Sequence, residues 1–234
     1  LESLISFPNN DPQTNLVNMR QKVSDYLDTL ENNPFMLEQM DKLTVAKAQV
    51  FSLLEAWPAY YANFFEEWEV IDTEVTIRAV EGANLKSHRP HRMAGKIDAI
   101  VKRKCDSTIW IMENKSKRYL TGFNWSGNLE LDHQVMWYAL IGIRTGHPIS
   151  GCLYNAIGKP QHRLSKTGYA DLKFRMSNAI AAEPEKYFAM VPIDIDNYKL
   201  HRMEMHFSAI MDNVDAMHDT NKHLRPTMST GRCG

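Results

Sequence analysis

Apolar positions along the chain change period near residue 68, from the spacing of helices to that of strands. Residues 1–15 open with a short apolar piece and then break into loop at Pro8, Asn9, Asn10, Asp11 and Pro12. From Thr14 to about Leu30, the positions Leu16, Val17, Met19, Val23, Tyr26, Leu27 and Leu30 recur at helical spacing. A second helix is expected after Pro34. A third spans Thr44 to Trp57, with Val45, Ala48, Phe51, Leu53 and Leu54 turned to a core, and Pro58 should end or kink it. Tyr60, Tyr61, Phe64 and Phe65 form another helical turn of packing aromatics.

Strand-like alternation begins with Glu69–Val80. Glu74 lies on it with Asp72 and Thr76, on a face better read as solvated than as part of a site. Met93–Arg103 and Ser107–Lys115 are rich in β-branched and large apolar residues, and Lys104-Cys105-Asp106-Ser107 separates them, which predicts a hairpin centred between Cys105 and Asp106. Facing residues then have numbers summing to 211, so Asp98 lies opposite Glu113 and Lys96 opposite Lys115. Period-2 alternation puts Lys115 on the face of Glu113. A charged hairpin usually turns its charges to water, but Ile97, Ala99 and Ile100 flank one carboxylate and Ile109, Ile111 and Met112 precede the other. Two carboxylates embedded there need a partner, and a divalent cation is one. The facing lysines call for a nearby phosphate or a strand irregularity.

Beyond the hairpin, Ser116–Asn128 is a loop in which Lys117 and Arg118 mix with Tyr119, Phe123 and Trp125, a combination suited to single-stranded nucleic acid and also to a packed lid. Leu129–Arg144 reads as a helix ending at Gly146, with Leu131, Gln134, Tyr138 and Ile141 on one face. Ile149–Ala156 is an apolar strand expected to add in parallel, which makes Cys152 a small core residue. Lys159 and Arg163 follow in a Gly/Pro loop open to phosphate contact. Asp171–Phe188 is expected as helix, Met190–Asp194 as strand, Asp196–Asn221 as a long helix, and the polar remainder as a tail.

Three segments in order, Gly95-Lys96-Ile97-Asp98, Glu113-Asn114-Lys115 and Gln134-Val135-Met136-Trp137-Tyr138, resemble the G-x-x-D, E-x-K and Q-x-x-x-Y signatures of the PD-(D/E)XK nuclease superfamily, in particular its RecB-like exonuclease branch with phage and CRISPR-associated members. The resemblance covers about residues 66–160. It implies an α/β fold: a mixed β-sheet in α-β-β-β-α-β order flanked by helices, preceded by N-terminal helices (1–65) and followed by a C-terminal α/β extension (161–234), all in one nuclease domain. It also implies a metal-dependent deoxyribonuclease acting in recombination, repair or phage DNA processing, with a helicase or recombination partner. Asp98, Glu113 and the Asn114 carbonyl would hold Mg²⁺ or Mn²⁺, all hard oxygen donors. Lys115 would orient the attacking water and stabilise charge, and Gln134 and Tyr138 would contact substrate. A structure-specific or restriction-type endonuclease, or an inert nucleic-acid-binding module of the same fold, are the alternatives.

RecB-like relatives also carry a G-x-x-x-H-x-x-L-E helix before the sheet, and Leu1-Glu2 is similar to its tail. Many hold a [4Fe-4S] cluster near the C-terminus. Cys233 would be the first of such a set in a longer parent, since Cys105 and Cys152 lack the spacing for it.

Composition sharpens this picture. The apolar fraction of 44% over 234 residues suffices for a real core, and three scattered cysteines make no disulfide framework, which suits a reducing cytoplasm. No apolar run reaches the length of a membrane span. The net charge is −1, but residues 1–75 hold 13 acidic and 4 basic side chains, against 3 acidic and 10 basic in residues 85–118. Positive potential therefore gathers around the expected site, where Lys86, Arg89, Lys117 and Arg118 are candidate phosphate contacts. His88 and His91 lack metal-ligand spacing and belong with them.

Overall fold

The computed structural model describes residues 12–78, 94–118, 120, 129 and 132–219. The helical part comprises α1 (Pro12–Glu31), a 3₁₀ segment (Pro34–Gln39), α2 (Met40–Tyr60) and the short α3 (Phe64–Glu67). Then come β1 (Trp68–Arg78), β2 (Ala94–Arg103), β3 (Ile109–Lys117), α4 (His133–Arg144), β4 (Ile149–Gly158), α5 (Gly168–Ala182), β5 (Phe188–Asp194) and α6 (Asn197–Asp219). The five strands form one mixed sheet in the order β1-β2-β3-β4-β5. Only β3 and β4 run parallel, joined through α4 as a crossover; the other neighbours are antiparallel. Among the described residues, no helix is long and apolar enough to cross a membrane.

Helices cover both faces of the sheet. On one, α4 and α6 bring Val135, Ile141, Met203 and Phe207 against Ile97, Ile111, Cys152 and Tyr154. On the other, α1, α2 and α5 bring Leu16, Trp57, Tyr61 and Ile180 against Val101, Trp110, Met112 and Leu153. Both clusters are buried apolar surface, the main favourable term in folding.

Several expected elements differ in kind or extent. The turn of helix after Pro34 is 3₁₀, capped by the Asn33 side chain, which accepts from the Phe35 amide at 3.0 Å. Helix α2 starts four residues before Thr44 and continues past Pro58 to Tyr60. Pro58 removes one intrahelical donor, but Trp57 and Tyr61 stack at 4.8 Å in the core and hold the last turn in place. The stretch expected as helix from Asp171 to Phe188 closes at Ala182, where Pro184 opens a short 3₁₀ turn and Phe188 begins β5.

The hairpin has the expected centre. Ala99 pairs with Met112, Ile100 with Ile111, Val101 with Trp110 and Lys102 with Ile109, all summing to 211. Arg103 and Thr108 close it, and Asp106 accepts from the Thr108 amide at 3.0 Å within the turn.

Candidate active site

The β2–β3 ladder stops at Ala99 and Met112, one step short of the acidic pair, while β3 stays paired with β4 as far as Lys117 and Gly158. Where the ladder ends, the Asn114 amide donates to Asp98 Oδ2 at 2.8 Å, a bond to a side chain in place of backbone. Strand β2 is irregular at this point. Ile97 and Ile100 both join the α4–α6 cluster and Ala99 the opposite one, so simple alternation breaks at Asp98. Across on β1, between the pairs Thr73–Ala99 and Val75–Ile97, Glu74 has φ +55°, unusual for a residue with a side chain.

This irregularity resolves the predicted clash of lysines. Lys96 forms an ion pair with Glu74 of β1 and Lys115 one with Glu113. No phosphate is required, and Glu74 is paired rather than freely solvated.

Glu113 is 2% exposed. Its Oε1 receives Lys115 Nζ at 2.5 Å, while its Oε2 is enclosed with no hydrogen-bond partner. Burial pushes the Glu113 carboxyl above its ordinary range; the Lys115 hydrogen bond opposes this and the negative charge of Asp98 adds to it. On Lys115, burial disfavours the charge, but the hydrogen bond to Glu113 and the attraction of Glu113, Asp132 and Asp98 outweigh it, and the ammonium is held more firmly than usual.

Lys115 also donates to Gln134 Oε1 at 2.8 Å, and Gln134 Nε2 donates to the Tyr138 hydroxyl at 2.8 Å. An i, i+4 spacing sets these two on one helical face. Gly95 explains why the ring can lie there: a Cβ at that position would sit 2.6 Å from two ring carbons of Tyr138. The first and third motifs thus meet through a side chain resting on bare backbone.

On the opposite face, Asn114 Oδ1 accepts from Asn155 Nδ2 at 2.8 Å, and Asn155 accepts a hydrogen bond from the Tyr61 hydroxyl. The residue between the two charged positions is therefore pinned to the other half of the core.

The structure brings Asp98, Glu113, Asn114, Lys115, Gln134 and Tyr138 together. Lys117 and Arg118 follow directly, both exposed, at and just past the end of β3. Lys86, Arg89, His88, His91 and Cys233 lie outside the described residues. Cys152 is wholly buried, as expected, and Cys105 is exposed in the hairpin turn.

Two participants escaped the sequence reading. Asp132 caps α4, accepting from the Gln134 amide at 2.9 Å, and its charge reaches Glu113, Lys115 and Tyr154. Its signal was an N-cap residue two positions before Gln134. Asn155 lay hidden in an otherwise apolar strand, where a buried amide calls for a partner.

The chemistry available is that of a buried carboxylate with one unpartnered oxygen, a second carboxylate beside it and a lysine with two of its three protons engaged. A hard cation fits such donors. Among the described residues, no group of three His, Cys, Asp or Glu side chains forms a ready metal cage, so two carboxylates would carry the protein's share.

No protein-family model matches the chain, and no curated protein matches it. Among solved structures it is similar to SSO0001 at 14% identity, over 90% of this chain and 73% of that one, with a TM-score of 0.34. So distant a likeness leaves function to the chain's own residues.

Proposed function

We propose that this chain is a metal-dependent deoxyribonuclease with a PD-(D/E)XK core, of the RecB-like exonuclease type. The observation that carries this reading is Glu113: a buried carboxylate whose Oε2 has no partner, set beside Asp98 and clamped by Lys115. Leaving a buried carboxylate oxygen unsatisfied is costly, and a cation removes that penalty.

Asp98 and Glu113, with the Asn114 carbonyl, would hold Mg²⁺ or Mn²⁺, with water completing the shell as Mg²⁺ prefers. The bound ion would polarise the phosphodiester and lower the pKa of a water ligand. Lys115, held by Glu113 and Gln134, keeps one N–H to orient that water or to meet charge developing on the phosphate. Gln134 fixes Lys115, and Tyr138 fixes Gln134. The Asn114 amide keeps Asp98 turned inward.

Incubation with end-labelled linear DNA and covalently closed circular DNA, with Mg²⁺ or Mn²⁺, tests the reading. Loss of the linear form alone is the expected result. Cutting of the circle would make the chain an endonuclease, and binding without cutting would make it an inert module.

A further inference from the structure

Asn114, between Glu113 and Lys115, is held in two directions at once. In a strand the N–H and C=O of one residue point toward the same neighbouring strand. The Asn114 amide donates to Asp98 of β2 at 2.8 Å, so its carbonyl is turned the same way, past the last rung of the β2–β3 ladder at Ala99 and Met112. That carbonyl is the atom which the nuclease reading gives to the cation. The Asn114 side chain leaves on the other face, where its Oδ1 accepts at 2.8 Å from Asn155 Nδ2, directly beside it on β4. Its own Nδ2 is buried without a partner, so among the described residues the bond from Asn155 is the one hydrogen bond on this side chain.

Asn155 is wholly buried and accepts in turn from the Tyr61 hydroxyl. Tyr61 follows α2, is buried, and is fixed by its stack on Trp57 at 4.8 Å and an edge contact with Phe188 at 6.0 Å. Burial pushes its hydroxyl well above the ordinary range, which keeps it a proton donor to Asn155. Folding alone does not call for this chain of three. It lies on the face of Met112, Leu153 and Trp57, where apolar side chains of similar shape would pack without any polar group to desolvate. Such side chains would not fix the rotation of Asn114 about the strand axis, and that rotation sets where its carbonyl and amide point.

We infer that Asn155 and Tyr61 are positioning residues of the proposed active site: through the Asn114 side chain they hold the Asn114 carbonyl, and its amide bond to Asp98, in the orientation that a divalent cation requires. This rests on the nuclease reading and adds to it two residues outside the three motifs, one of them supplied by the helical part.

The test is Mn²⁺ binding by the full chain without DNA, with Kd read from the paramagnetic resonance of free Mn²⁺. Asn155→Leu and Tyr61→Phe should each keep the wild-type circular dichroism and weaken Mn²⁺ binding by about tenfold, the lower end of the usual cost of losing a residue that orients a metal ligand. Asn114→Ala should weaken it similarly, and adding Asn155→Leu to Asn114→Ala should cost nothing further, because Asn155 acts through Asn114. Ile180→Val, which trims the same core cluster from α5, should lower the melting temperature and leave Kd unchanged. Wild-type Kd in both Asn155→Leu and Tyr61→Phe would overturn the inference and leave the nuclease reading intact. Independent losses in the double variant would overturn it as well, and so would an equal loss in Ile180→Val, which would make the effect one of stability alone. Should Asn155→Leu not fold, Tyr61→Phe retains the ring and its stacking and decides by itself. A wild-type chain that binds no Mn²⁺ would bring down the metal-dependent reading, and this inference with it.

Discussion

Asp98, Glu113 and Lys115 do different work, so their substitutions should be separable. Asp98→Asn, Glu113→Gln and Lys115→Ala should each abolish cleavage while circular dichroism stays that of wild type; near wild-type turnover by any of them at saturating Mg²⁺ would sink the proposed site. Glu113 also makes a prediction without substrate. Its folded carboxyl titrates above the ordinary 4.5, so the stability it contributes is present below that value and is lost as pH rises through the raised one. In chelator, the melting temperature of wild type minus that of Glu113→Gln should fall steadily across this acidic window, and Mn²⁺ should reverse the loss by favouring the ionised form. A difference flat in pH would refute the account of Glu113. Tyr61→Phe belongs here too: it strips a buried amide oxygen of Asn155 of its donor, at about 1–3 kcal/mol of stability, measurable by urea melts.

At the scale of elements, the packing of α4 on β2 is the feature to perturb. Gly95→Ala would drive a methyl into the Tyr138 ring, which must move and take Gln134 with it. A loss of about 1–3 kcal/mol is expected from overpacking, with a fall in activity. Adding Tyr138→Ala should restore stability but not turnover; failure to restore stability would locate the strain elsewhere. The same scale shows what a sequence can announce. The hairpin register was legible because turn residues and two-residue alternation both fixed its centre. Its early end was announced only indirectly, by the clash of Lys96 with Lys115 that the ideal register implies; that the break falls at Asp98, with Glu74 at positive φ across from it, leaves no mark on a β-rich stretch. Pro58 misled in the other direction: near a helix terminus, packing by Trp57 and Tyr61 outweighs the missing donor.

For the whole molecule, the β2–β3 hairpin and the single parallel pair followed from turn residues, crossover helix and apolar strand, while the place of β5 beside β4, the cap Asp132 and the buried Asn155 acquire meaning only from neighbours distant in sequence. Charge is the property legible at this scale. If Lys86, Arg89, Lys117 and Arg118 serve phosphates, neutralising them together should weaken DNA binding and flatten its salt dependence by about one unit for each phosphate no longer held. An unchanged slope would return them to ordinary solvated charges.

The bond from the Asn114 amide to Asp98 turns one proton into a gauge of its neighbour's occupancy. Here the backbone itself carries the record. When Asp98 Oδ2 is drawn toward a cation, its hold on that amide weakens. In a ¹⁵N-labelled sample the Asn114 resonance should therefore shift, and its exchange with deuterium quicken, before any substrate is added, while the Asp98→Asn protein shows no response to the ion at all.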